Sequence, residues 1–496
     1  MTIDAAWTEL RHRLSECETL EGAIGLLGWD QNTMMPRASG GSRAEQTALL
    51  SSINHERFTH PRIGELLHTL ESEASDHTMR RSAFVVRRNY DRATKVDARL
   101  VSELASAQSA AFDAWVQAKR TSDFATFAPH LERLVTLNRE RISAIDASRH
   151  PYDVLLDEYD PGTSVASLRA MFGRLQPGLT ELITAIQARP QLPAVEASFP
   201  IEAQRRIQKV VAERLGYDFE RGRLDDAEHP FSIALHPTDV RITTHLYADN
   251  LLSGLGGTIH ETGHALYEQG LPTELRGTSL ARAASYGVHE SQSRFWENYV
   301  GRSEAFAHWL APHLRDDLGA DAPDAGLIFR ANNRVVPGLI RIRADEVTYN
   351  LHIIVRFEVE LALLEGRVAI ADLPEMWNSR YREYLGVNPP NDAEGILQDV
   401  HWSMGAFAYF PSYTLGNLYA ASIGRHLEAA MPTMWDDVGR GDFSAILGWL
   451  RQNIHQRGSA LEAPQLIEAA VGSRDAVDDL LHYLWHRVGG LYGVTR

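Results

Sequence analysis

The amino-acid sequence predicts an all-α fold, mostly helical, with one small β-hairpin or short sheet. Apolar residues recur at three-to-four spacing along most of the chain, as in Trp7, Leu10, Leu14, Cys17 and Leu20. Alternation with a β-branched bias is confined to Val240, Ile242 and Thr244. No fixed-period repeat is present, and the best linker, Arg189 to Pro200, is followed too soon by the central motif for residue 201 to open an independent domain. The expected organisation is one domain over 1–496, with a helical cover over about 1–200 and a functional body over about 201–496.

Taken in order, a first helix is expected from Ala5 to Ile24, ending in a punctuated bend from Leu27 to Pro36. Helices follow over Ser42 to Asn54 and Pro61 to Glu73, and one or two long helices over residues 76–118, which contain no proline or glycine. Thr126 to His150 repeats the pattern, with Pro129 placed in the first turn, where its missing N–H breaks no helical bond. Residues 151–162 read as punctuation, and Ser164 to Ala188 as helix with a break at Pro177-Gly178. Glu202 to Leu215 is helical, and the two short strands follow it, with a sheet edge able to pair with an extended peptide. Helix resumes across Leu251 to Leu266 and from about Ala283 through Val300. After a polar break over 316–326, a buried helix covers Leu351 to Glu358 and another covers Trp377 to Leu385. Aromatic stretches lie at 395–402 and 409–419, and 430–492 is helical cover.

Composition excludes several classes. With 65 acidic against 49 basic side chains, the net charge of -16 argues against a nucleic-acid partner. The basic group Arg80, Arg81, Arg87, Arg88 and Arg92 reads as one charged helix face with ion-pair partners. One cysteine, Cys17, excludes an intrachain disulfide and a cysteine metal cluster. Residues 1–20 carry charge throughout and lack a signal-peptide pattern, and no apolar run approaches about 18 residues, so no membrane span is expected and the cytoplasm is the default.

The chemistry concentrates in His260-Glu261-Thr262-Gly263-His264. On a helix, residues four apart lie one turn above each other, so His260 and His264 can reach one ion. Glu261 is rotated off that line, close enough to hold and deprotonate a water without being a ligand. Gly263 leaves room for a close approach, and Gly254, Gly256 and Gly257 weaken the helix unless something packs tightly there. A catalytic zinc needs a third protein ligand and an open position. Glu290 and His289 both qualify by distance along the chain, and adjacent helical residues cannot both point at one ion.

Further patterns carry a resemblance. They are His229-Pro230-Phe231; Asp239, Arg241 and Thr243; the histidine motif; His289-Glu290-Ser291; Ile340, Arg341, Ala344 and Asp345; and Gly395, Gln398, Asp399, His401 and Trp402. In this order they resemble the thermostable carboxypeptidase Taq family, peptidase family M32, over nearly the whole chain. The resemblance implies a zincin-like, mostly helical homodimer with a deep groove. The implied activity removes residues one at a time from peptides with a free C-terminus, with broad preference and poor tolerance of proline. It assigns one Zn2+ per subunit, for which Co2+ can substitute, to His260, His264 and Glu290, and the general base to Glu261.

Two roles remain to be filled. An oxyanion donor is expected from Tyr409 or Tyr413, helped by His401, and aromatic packing is their alternative role. A free carboxylate calls for a guanidinium fork, with Arg341 first and Arg334 in reserve, each otherwise a structural ion pair. His229 is expected to bond substrate backbone, and Asp239 with Arg241 to hold the hairpin. The competing readings are an oligopeptidase or endopeptidase, and a non-enzymatic metal-containing peptide-binding protein.

Overall fold

Helical periodicity is realised from the start of the chain in the computed structural model, which describes residues 1–195 and 197–496. Helix α1 (Ile3–Thr33) is capped by the Thr2 hydroxyl, which accepts from Ala5 N. It continues past the expected end at Ile24, straight through the expected bend, because Gly22 and Gly25 let it lie against Leu235 and only Pro36 stops it. Helices α2 (Gly40–Phe58) and α3 (Pro61–Glu73) follow as expected. The 76–118 tract forms two helices, α4 (His77–Lys95) and α5 (Ala98–Thr121), divided where the Asp97 carboxylate accepts from Leu100 N at 2.7 Å.

Helix α6 (Phe124–Asp146) begins two residues early because Asp123 caps it, so Pro129 falls in the second turn and forgoes one helical bond. The expected punctuation at 151–162 holds a short helix, α7 (Pro151–Leu156), capped by the His150 ring. Helix α8 (Val165–Gln187) is unbroken at Pro177: a β-carbon at Gly178 would lie 2.6 Å from Leu481, so close packing outweighs the lost bond. Within the linker, position 196 lies outside the described residues.

Helix α9 (Ile201–Leu215) precedes strands β1 (Leu224–Asp226), β2 (Ser232–His236) and β3 (Asp239–Thr244). The expected hairpin is β2 and β3, antiparallel with Ile233 opposite Arg241 and a register shift after Ala234. A third strand joins it, β1 running parallel to β3 in the order β1-β3-β2. Three residues, two of them acidic, carry no readable strand signal. Helices α10 (Leu251–Gly270), α11 (Tyr286–Arg294), α12 (Glu304–Leu318) and α13 (Ala325–Asn332) follow, and α11 runs on as a π-turn from Phe295 to Val300.

The later chain forms α14 (Glu346–Leu364), α15 (Leu373–Leu385), α16 (Pro411–Ala430), α17 (Met434–Gly439), α18 (Ser444–Asn453), α19 (Ala463–Val471) and α20 (Ala476–Leu484). Helix α14 is buried almost end to end, which explains its apolar and β-branched composition. The described residues pack as two compact units, each discontinuous in sequence. The first is Met1–Thr94, Ala194–Asn332 and Tyr419–Arg474; the second is Lys95–Pro193, Asn333–Leu418 and Asp475–Arg496. In the first, three of the basic side chains of α4 are committed to ion pairs, Arg81 and Arg88 with Glu462 and Arg87 with Glu71. Among the described residues no helix is long and apolar enough to cross a membrane.

Candidate metal centre

Helix α10 is seated by its own side chains before it presents any chemistry. The Asn250 side chain caps it by accepting from Ser253 N, and the Thr258 hydroxyl meets that of Thr244 on β3 at 2.8 Å. The decisive position is Gly263. A β-carbon there would lie 2.6 Å from Ser293 Cα and 2.7 Å from the Gln292 carbonyl oxygen, so α10 and α11 touch backbone to backbone. That contact carries Glu290 to the histidine pair.

His260 and His264 stand edge to face with ring centres 4.8 Å apart. Glu290 Oε2 lies 3.7 Å from His260 Nε2 and 3.4 Å from His264 Nε2, and one ligand atom from each of the three residues falls within 4.8 Å of the others. The far side of each ring is also engaged. His260 Nδ1 donates to Glu297 Oε2 at 2.8 Å, which leaves the Nε2 lone pair directed at the cluster. His264 Nδ1 lies 2.6 Å from His289 Nδ1, whose Nε2 is 2.8 Å from Glu268 Oε1. A carboxylate only accepts, so His289 carries its proton on Nε2, accepts at Nδ1, and leaves His264 Nε2 bare. His289 thus orients a ring in the cluster and is not one of the three clustered groups.

The electrostatics agree with a cation site. Burial pushes the His264 ring down to about 3, so it stays neutral and able to ligate. Burial opposes charge on His260 as well, but Glu290 and Glu297 outweigh it and raise its proton affinity. Burial would also raise Glu290, yet Arg294 and the histidines hold that carboxyl well below the ordinary range. Arg294 Nε donates to Glu290 Oε1 at 2.7 Å and its Nη1 to Glu297 Oε2 at 3.2 Å. Glu261 is buried, and its carboxyl is pushed up to about 7 by burial first and by Glu290 and Glu297 after it, against His260. Two imidazole lone pairs and an ionised carboxylate, in a pocket that draws a proton onto His260, fit a divalent cation of the zinc type.

Glu297, Arg294 and Glu268 were missed by sequence reasoning. A signal for the first two existed: Glu290, Arg294 and Glu297 are spaced four and three apart, one helical face, and the π-turn keeps Glu297 on it. Glu268, one turn beyond His264 on α10, was legible only by its spacing. His229 is exposed just ahead of β2, and the next residue, Pro230, lies beside Gly257. Asp239 and Arg241 form a two-point ion pair at 2.8 and 2.9 Å, with the guanidinium 4.4 Å above the Trp29 ring, so the pair braces the hairpin against α1.

The second unit gathers most of the remaining expected residues around Asp399. Arg341 donates to Asp399 Oδ1 through Nε and Nη2 at 3.0 and 2.8 Å and to the Tyr349 hydroxyl through Nη1 at 3.1 Å. Arg356 holds Asp399 Oδ2 at 2.7 Å, and the two guanidiniums overcome burial to keep this carboxyl far below the usual range. His401 Nε2 is 3.2 Å from the Tyr413 hydroxyl, and burial pushes its ring down to about 4. Tyr409 packs edge-on against Tyr159 at 5.0 Å and Tyr413 at 5.3 Å. Arg334 is exposed and has no hydrogen-bond or ion-pair partner among the described residues.

The chain matches the family described as Carboxypeptidase Taq (M32) metallopeptidase over residues 9–488. It is 43% identical to Thermostable carboxypeptidase 1 of Thermus thermophilus, covering 99% of this chain and 100% of that protein. It is 37% identical to Carboxypeptidase 1 of Bacillus subtilis, covering 95% of each. Among solved structures, the M32 carboxypeptidase of Deinococcus radiodurans R1 superposes with a TM-score of 0.96 at 37% identity, over 99% of this chain and 100% of that one.

Proposed function

This chain belongs to the carboxypeptidase Taq (M32) metallopeptidase family and is a peptide hydrolase, and from that premise we propose a zinc-dependent carboxypeptidase with broad preference and little action at proline. The observation that carries the reading is the convergence of His260, His264 and Glu290 with the buried Glu261 beside them.

A divalent ion held by His260, His264 and Glu290 supplies Lewis-acid polarisation of a peptide carbonyl and of water. Glu261 takes a proton from the attacking water on its carboxylate and returns it to the leaving nitrogen. A carboxylate suits both halves of that exchange, because it accepts a proton as a base and gives it back as an acid. Glu297 and the pair of His289 with Glu268 keep the ligand rings in the tautomer that bares Nε2. Tyr409 or Tyr413, with His401, donates to the developing oxyanion. A guanidinium takes the C-terminal carboxylate, and the engagement of all three Arg341 nitrogens by Asp399 and Tyr349 shifts weight toward the exposed Arg334. His229 bonds substrate backbone. Co2+ serves in place of Zn2+, and the protein works as a homodimer in the cytoplasm; a monomeric mass by light scattering would remove the dimer.

Glu261→Gln tests the mechanism. It should retain one zinc per chain and lose turnover by about 10²-fold or more; near-normal turnover would remove Glu261 as the base. Mass spectrometry of products from a peptide and its C-terminal amide, with and without chelator, separates the alternatives. Cleavage of the acid alone supports a carboxypeptidase, equal cleavage of the amide an endopeptidase, and no cleavage of either a binding protein.

A further inference from the structure

Glu360 is fully buried on α14, one turn beyond Arg356, and no step described so far uses it. Three donors from three places converge on its carboxylate. Oε1 accepts from Trp402 Nε1 at 2.8 Å, and Oε2 accepts from the Tyr152 hydroxyl of α7 at 3.0 Å and from Ala408 N at 3.1 Å. Trp402 and Ala408 bracket one short segment: a 3₁₀ turn over His401–Met404, then Gly405 to Ala408. Ala408 is a non-glycine residue in the left-handed region at φ 62°, a conformation that persists only where the surroundings hold it. The next residue is Tyr409. Three residues later the Ser412 hydroxyl donates to the buried Asp160 at 2.5 Å, so buried acids tie the chain on both sides of Tyr409.

We propose that Glu360 is a positioning residue that holds the strained turn before Tyr409 and so aims its phenol, an inference that rests on the oxyanion role given to Tyr409 above. The choice of a carboxylate is specific. An amide at 360 could reverse the bond with Tyr152, because a hydroxyl both donates and accepts, but the Trp402 and Ala408 N–H groups only donate and lie on different oxygens. Glutamine therefore keeps one of the two bonds to the segment and loses the other.

The test is a double-mutant cycle on the zinc-loaded enzyme, with kcat and KM measured on a peptide with a free C-terminus and zinc content measured alongside. Tyr409→Phe should lower kcat by about 10²-fold as a lost oxyanion donor. Glu360→Gln should lower kcat about tenfold through misplacement, with KM and zinc content within about twofold of wild type. In the Tyr409→Phe background, Glu360→Gln should add less than about twofold, because both changes act on the same group. Should Glu360→Gln fail to fold, Trp402→Phe removes one bond and keeps an aromatic ring, with a smaller loss that again vanishes in the Tyr409→Phe background. The proposal is overturned by wild-type kcat in Glu360→Gln while Tyr409→Phe is impaired, or by a loss that persists in full beside Tyr409→Phe. A loss confined to Tyr413→Phe also overturns it and leaves the oxyanion reading standing on the other phenol. If neither tyrosine substitution lowers kcat, the oxyanion reading itself fails and takes this inference with it.

Discussion

Replacing Gly263 by alanine should separate the two helices that build the metal centre. The added methyl would sit 2.6 Å from Ser293 Cα and 2.7 Å from the Gln292 carbonyl oxygen, both backbone atoms with no rotamer to change. Restoring an ordinary 3.4 Å contact requires about 0.8 Å of separation between α10 and α11. Metal bonds tolerate about 0.2 Å, so the Glu290 carboxylate is drawn several tolerances away from His260 and His264. Overpacking of this kind costs about 1–3 kcal/mol, offset by up to about 1 kcal/mol from alanine's better helix propensity. The expectation is a net loss of about 1–2 kcal/mol in urea unfolding and a zinc affinity lowered by about 10–100-fold in competition with a chromogenic chelator. Gly257→Ala, six residues earlier on the same helix, is the control. Its nearest neighbour would be Pro230 Cγ at 3.6 Å, an ordinary contact, so it should gain about 0.5–1 kcal/mol and keep its zinc affinity. Wild-type zinc affinity and stability in Gly263→Ala would refute the claim that backbone contact sets the ligand geometry.

Two other outcomes follow from buried groups. His455 is fully buried with its Nε2 on Gln292 Oε1 at 2.9 Å, and burial pushes its ring from 6.5 down to about 3. The folded-state value is depressed, so the unfolded chain binds a proton that the folded chain refuses; the stability present above pH 6.5 is lost as pH falls from there toward 3. His455→Gln should therefore show a shallower acid-side loss than wild type, by up to about 1.4 kcal/mol per pH unit, in unfolding measured at equal zinc; identical slopes would show that the ring titrates normally. Arg341→Ala leaves Asp399 with one of its two guanidiniums and should destabilise by about 3–5 kcal/mol, whereas the exposed Arg334→Ala should raise KM on free-acid peptides at unchanged stability and zinc content. Full stability with a raised KM in Arg341→Ala would return the carboxylate role to Arg341.

Short-range geometry made much of this molecule legible in one dimension. Residues four apart on a helix share a face whatever surrounds them, so His260 and His264 declared a metal pair. The sequence patterns also pointed to the family, and with it to Glu290. Local rules failed where a distant neighbour outweighed them: α1 runs through its expected bend against Leu235, and α8 through Pro177 against Leu481. The choice between His289 and Glu290 was open on periodicity alone, since both suit the spacing. The crossing at Gly263 directs the carboxylate to the pair and sets the neighbouring ring behind His264. The same holds for Arg341, whose nitrogens meet Asp399 58 residues away, and for Glu360, whose three donors come from separate parts of the chain. Backbone periodicity determines which side chains share a helical face; only packing between distant segments decides what that face meets, and therefore which groups are ligands, supports or anchors.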